Sequence, residues 1–77
     1  MPRGVFNWKF SEVVAVLKEN GFHLNHTRGS HCFYVGYIGS KTRKVCVQKH
    51  GNMTFKPRTM KSMIEQSGLG EEKWGLK

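Results

Sequence analysis

The chain has 77 residues, with 13 Lys and Arg against five Glu and a formal net charge of +8. A chain this short buries only about 60% of its unfolded surface, so one domain over residues 1–77 with one modest core is expected. No apolar run is long enough to cross a membrane, and Met1-Pro2-Arg3-Gly4 lacks the apolar segment of a signal peptide. A cytoplasmic chain without membrane contact is the expectation.

In chain order, the first element predicted is a helix from about Phe10 to Asn20. Phe10, Val13, Val14 and Leu17 recur at the i, i+3, i+4, i+7 spacing of one buried stripe. Gly21 is the expected left-handed stop, and Phe22 is placed to pack back on Leu17, as in a Schellman ending. Phe22 to Arg28 reads as a short polar strand on which His23 and His26 face solvent. His31 to Tyr37 is rich in aromatic and β-branched residues and forms a second strand. Ile38 to Thr42 reads as a hairpin loop, and Arg43 to Lys49 alternates basic or polar residues with Val45 and Val47. A second helix starts near Pro57, a residue suited to the first helical turn. Met60, Met63 and Ile64 make its apolar stripe; it stops at Gly68, with Leu69 set against Ile64. A short turn follows at about Glu71 to Trp74. Two helices on one face of a three-stranded antiparallel sheet make an α+β two-layer fold, in an α-β-β-β-α order shared by the double-stranded-RNA-binding fold.

Parity along the strands puts His31 and Cys32 on opposite faces. Tyr34 is expected to share a face with Cys32 and Cys46, and parity leaves open which face is the core. If His31 faces solvent, Phe33 and Val35 face it too, unless a bulge or twist near Ser30 re-aims them. Tyr34 and Tyr37 are candidates for stacking on bases.

The charge is unevenly placed. The carboxylates are Glu12, Glu19, Glu65, Glu71 and Glu72, and the chain has no Asp. Between Asn20 and Ile64 there is no acidic side chain, whereas Arg28, Lys41, Arg43, Lys44, Lys49, Lys56, Arg58, Lys61 and all four His lie there. A one-signed middle attracts polyanions through counterion release and long-range field.

The missing carboxylates exclude much chemistry. A two-metal nuclease needs acidic ligands, and carboxylate pairs and Ser-His-Asp triads fail on the same ground. No Walker loop or Gly-x-Gly-x-x-Gly occurs. Cys32 and Cys46 are too few for a disulfide scaffold, and no Cys-x2-Cys or His-x3-His pair suggests zinc. No metal or cofactor is expected. His31 remains: it follows Gly29-Ser30 at a strand entry, so the backbone turns tightly just before the imidazole. Imidazole exchanges protons near neutral pH. RNA carries its own nucleophile, the 2′-hydroxyl, and a base there with Lys and Arg at the phosphorane suffices for cleavage.

The ordered elements Leu17 to Phe22, Arg28-Gly29-Ser30-His31-Cys32-Phe33-Tyr34, Val45-Cys46-Val47-Gln48-Lys49-His50 and Thr59 to Leu69 resemble the HicA mRNA interferase toxins of toxin–antitoxin pairs. The resemblance spans roughly Phe10 to Trp74. It implies a metal-independent endoribonuclease of double-stranded-RNA-binding-like fold acting on mRNA. The family's essential histidine falls on His31, and a HicB-type antitoxin covers the active face. Where the family usually carries proline before its third-strand ending, this chain has Gln48, so the path towards His50 is expected to differ. Arg28, Gly29, Ser30, Lys41, Arg43, Lys44 and Lys49 are the candidate RNA-binding residues, and the free chain is expected to be monomeric. The alternative is a non-catalytic RNA-binding module of the same fold.

Overall fold

The structure, a computed structural model, describes residues 4–5, 7–49 and 53–75. His50 lies outside the described residues. The elements are α1 (Phe10–Glu19), β1 (His23–Arg28), β2 (His31–Ile38), β3 (Lys41–Gln48) and α2 (Pro57–Ser67), followed by a 3₁₀ turn, Glu71–Trp74. The strands form one antiparallel sheet in the order β1-β2-β3. This is the expected α-β-β-β-α arrangement.

Both helices turn their apolar stripes to the same face of the sheet. Val13, Val14 and Leu17 of α1 and Met60, Met63 and Ile64 of α2 are buried with Cys32 and Tyr34 of β2 and Val45 and Val47 of β3. Each fully buried aliphatic chain contributes about 1.5–3 kcal/mol. Phe22, Trp8, Phe55 and Trp74 complete the cluster, and the last three belong to no periodic stripe. Trp8 and Trp74 meet edge to face at 5.7 Å. The Trp8 carbonyl accepts from the Phe55 amide at 2.8 Å, which holds the segment before α2 against the start of α1.

The two helix ends reach one result by different routes. At α1 the Phe22 amide donates to the Leu17 carbonyl (2.9 Å) and the Gly21 amide to that of Lys18 (3.2 Å), with Gly21 at φ +87°. That is the full Schellman pair. At α2 the Gly68 amide donates to Glu65 (3.2 Å), but the longer bond is relayed. The Leu69 amide donates to the Ser67 hydroxyl, which donates on to the Ile64 carbonyl (3.1 and 2.7 Å). Ser67 is fully buried and satisfied by this relay.

The connection expected at Ile38 to Thr42 is shorter. Gly39 and Ser40 alone form it, at φ +57° and +71°, the positive pair that a type I′ hairpin turn demands. Ser40 pays the cost of a conformation uncommon outside glycine, and in return β2 and β3 pair over eight residues each, from Ile38↔Lys41 to His31↔Gln48. Gln48 thus still pairs within the sheet, as the absence of proline there permits.

Candidate active site and nucleic-acid interface

β2 alternates without interruption. Cys32, Tyr34 and Gly36 face the helices, and His31, Phe33, Val35 and Tyr37 face the other way. The second face carries no helix among the described residues. No bulge occurs near Ser30; Phe33 and Val35 are half-buried on the open face instead. The sequence expectation for Cys46 is corrected here. Cys46 pairs with Phe33 and lies on the open face, opposite Tyr34 and Cys32. Its antiparallel partner decides this, not its distance from Cys32 in sequence. Tyr34 is buried and cannot stack on a base, whereas Tyr37 is 73% exposed at the far end of the open face.

A bulge does occur, in β1. The register runs His23↔Val35, Leu24↔Tyr34, then His26↔Phe33, Thr27↔Cys32 and Arg28↔His31, leaving Asn25 as the extra residue. Phe22 is anchored in the core with its ring against Gly36, where an added Cβ would meet it at 2.8 Å. Strict alternation from Phe22 would send Leu24, His26 and Arg28 towards the helices. The inserted Asn25 reverses the parity, as bulges do when they re-aim side chains. His26 and Arg28 therefore emerge beside His31.

At the β1–β2 turn Gly29 has φ +60° while Ser30 does not take a positive φ, the pattern of a II′ turn with glycine first. The Lys49 amide donates to the Ser30 carbonyl at 2.7 Å, tying the end of β3 to this turn. His31 is exposed, with Arg28 across from it on one side and Gln48 on the other. Hydrogen-bonded pairs alternate along β2–β3, so His31 and Gln48 form the close kind, about 4.5 Å between Cα atoms. In the next row the His26 ring stacks on Phe33, centroids 4.5 Å apart and planes at 14°. Lys44 Nζ stands 5.2 Å from the Phe33 centroid, within cation–π range.

Among the described residues no carboxylate shares this face. Glu12 and Glu19 are in α1, Glu65 in α2, and Glu71 and Glu72 in the 3₁₀ turn. The Cys46 thiol is pushed up in pKa by burial and by Cys32, against the pull of Lys44, so it is held protonated rather than as a nucleophile.

The candidate residues divide. Arg28, Gly29, Ser30 and His31 form one end of the open face, Lys49 adjoins it through Ser30, and Lys44 lies on the same face. Two candidates fall elsewhere. Lys41 pairs with Ile38 at the opposite end of β2, seven residues and so about 23 Å from His31. Arg43 pairs with Gly36 on the helix side and packs over the α2 terminus, where a Cβ on Gly68 would meet its Nε at 2.6 Å. Its Nε is buried without a hydrogen-bond partner. Arg43 is a packing residue because β3 parity turns it inward. His26 and Phe33 were not singled out as site residues, although counting back from the two-residue Gly29-Ser30 turn places His26 on the His31 side.

A family model described as the HicA toxin of bacterial toxin–antitoxin systems matches residues 10–69. The chain belongs to the HicA toxin family. The matched region begins with the first residue of α1 and ends at Leu69, just past α2, so it contains the whole sheet. Neither the curated proteins nor the solved structures give a match. Membership in the HicA family makes this a chain of toxin–antitoxin type, for which an antitoxin partner and RNA as target follow in general terms. Within the HicA region the open face of the sheet is the surface that gathers histidine, arginine, lysine and half-buried aromatic groups.

Proposed function

We propose that the protein is a metal-independent endoribonuclease that cuts mRNA, with His31 as its acid–base residue. One observation carries the reading: in a HicA-family chain, His31 stands exposed on a sheet face that bears Arg28 and Lys44 and, among the described residues, no carboxylate. The phosphodiester lies over the His31 end of the face. His31 takes the proton of the 2′-hydroxyl, and the resulting oxyanion attacks the adjacent phosphorus. Arg28 and Lys49 offset the charge that builds on the phosphorane. The Gly29-Ser30 turn sets the height of His31 above the sheet, and Lys44 holds the strand further along. A HicB-type antitoxin silences the toxin by covering this same face; the free chain acts as a cytoplasmic monomer.

The test compares wild type with His31→Ala for RNA cleavage in the presence of chelator, and for growth arrest on expression. The reading expects wild type to cut and to arrest growth, and the variant to do neither. Binding without cleavage by the wild type would instead make this an RNA-binding module.

A further inference from the structure

His31 alone leaves one proton of the reaction unprovided for. Transesterification removes a proton from the 2′-oxygen and must deliver one to the departing 5′-oxygen, and in-line geometry puts these two oxygens on opposite sides of phosphorus. A base on one side is best matched by an acid on the other. The open face carries a second imidazole in a suitable place. His26 pairs with Phe33, and Arg28 pairs with His31. His26 and His31 are therefore diagonal neighbours on adjacent strands and on one face, about 7–8 Å apart at the backbone. They are near enough to reach one phosphate from two sides.

His26 is also held. Its Nδ1–H donates to Asn25 Oδ1 at 2.7 Å, and its ring lies flat on Phe33. The first contact leaves Nε2 as the nitrogen presented to a substrate. The second limits the rotamers of an otherwise exposed side chain, the preorganisation that a proton donor requires. Asn25 is the residue inserted by the bulge. One irregularity thus does two things: it turns His26 to the His31 side and it supplies the acceptor that orients it.

We propose that His26 is a second catalytic residue, the general acid that protonates the 5′-oxygen leaving group while His31 deprotonates the 2′-hydroxyl. This rests on the endoribonuclease reading. The 2′-oxygen gives its proton to His31 and forms a bond to phosphorus. The bond from phosphorus to the 5′-oxygen breaks with its electron pair on oxygen, which takes the proton from His26 Nε2. The products are a 2′,3′-cyclic phosphate and a 5′-hydroxyl. His31 has gained one proton and His26 has lost one, and exchange with water restores both. Arg28, across from His31 and two residues from His26, faces the phosphorane between them.

The experiment uses the full chain and two substrates: an oligoribonucleotide, and a nucleoside 3′-(4-nitrophenyl phosphate) whose phenolate departs without protonation. His26→Ala and His26→Phe, the latter keeping an aromatic ring on Phe33, are compared with wild type and His31→Ala. Melting and affinity for a non-cleavable 2′-deoxy oligonucleotide are measured alongside. Both His26 variants are expected to lose about 10²–10⁴-fold on the oligoribonucleotide and less than about tenfold on the aryl ester, while His31→Ala loses heavily on both. Equal losses by the His26 variants on the two substrates would overturn the acid role, as would wild-type rates on the oligoribonucleotide. A wild type inert towards both substrates would instead remove the endoribonuclease reading itself.

Discussion

The two faces of the sheet are built from alternate residues of the same strands and share almost no chemistry. The helix side holds Cys32, Tyr34, Val45 and Val47 against both helices, and Arg43, turned the same way, is half-buried over the end of α2. The open side holds His23, His26, Arg28, His31 and Lys44, with Phe33 and Val35 half-buried among them. On a strand a residue one place along belongs to the other set. The chain thus separates its packed residues from its exposed basic ones by parity, and one bulge keeps that separation through β1.

The comparison breaks most visibly at His31. His31→Ala is expected to cut RNA about 10²–10⁴-fold more slowly while its stability stays within about 0.5 kcal/mol of wild type, as single-turnover cleavage and denaturant melts will show. A comparable loss of stability would mean that the open face also holds the fold. The converse is Gly36→Ala, whose Cβ meets the buried Phe22 ring. It should destabilise by about 1–3 kcal/mol through overpacking and leave the cleavage rate of the folded fraction intact. Smaller effects separate the two arginines. Arg28→Ala should weaken RNA binding at unchanged stability, whereas Arg43→Ala should cost about 1 kcal/mol through lost packing and leave binding alone. With Arg28, Lys44 and Lys49 as the phosphate contacts, single-stranded affinity should fall with salt at a log–log slope of about −2. Lys44→Ala should flatten it by about 0.7.

The weakest expected effect is alkaline. Burial, with a contribution from Cys32, pushes the Tyr34 hydroxyl above its ordinary value, and burial likewise raises Cys46. Each group then binds its proton more tightly when folded. As pH rises past the ordinary thiol and phenol values, near 8.5 and 10, the unfolded chain loses these protons first, so stability falls in that range and not below it. Denaturant melts from pH 7 to 11 measure this, and Tyr34→Phe should reduce the upper part of the fall.

Much of the framework could be read without coordinates because its signals are local. The Leu17, Gly21, Phe22 ending and the Pro57 start are punctuation that the backbone obeys. The stripes of both helices are periodic, and every residue singled out in them is buried or packed against the core. What escaped depends on contacts distant in sequence. Trp8 and Phe55 carry no period that marks them as core. The Gly39-Ser40 turn needs a positive φ at a serine, against the residue's own preference. The face of Cys46 depends on the β2–β3 register, which its distance from Cys32 in sequence does not fix, and a register off by one exchanges every side chain between faces. The bulge at Asn25 has no signature in a polar strand. It follows from two demands on β1: Phe22 must enter the core, and the Gly29-Ser30 turn must set Arg28 beside His31.

The proposed division of the sheet into a structural face and an RNA-binding face is tested most directly by following backbone amide signals while a non-cleavable 2′-deoxy oligonucleotide is added. The expected perturbations cluster on His23, His26, Arg28 to His31, Phe33, Lys44 and Lys49, with those of α1 and α2 unmoved. Perturbations concentrated on the helices, with the open face silent, would contradict the account.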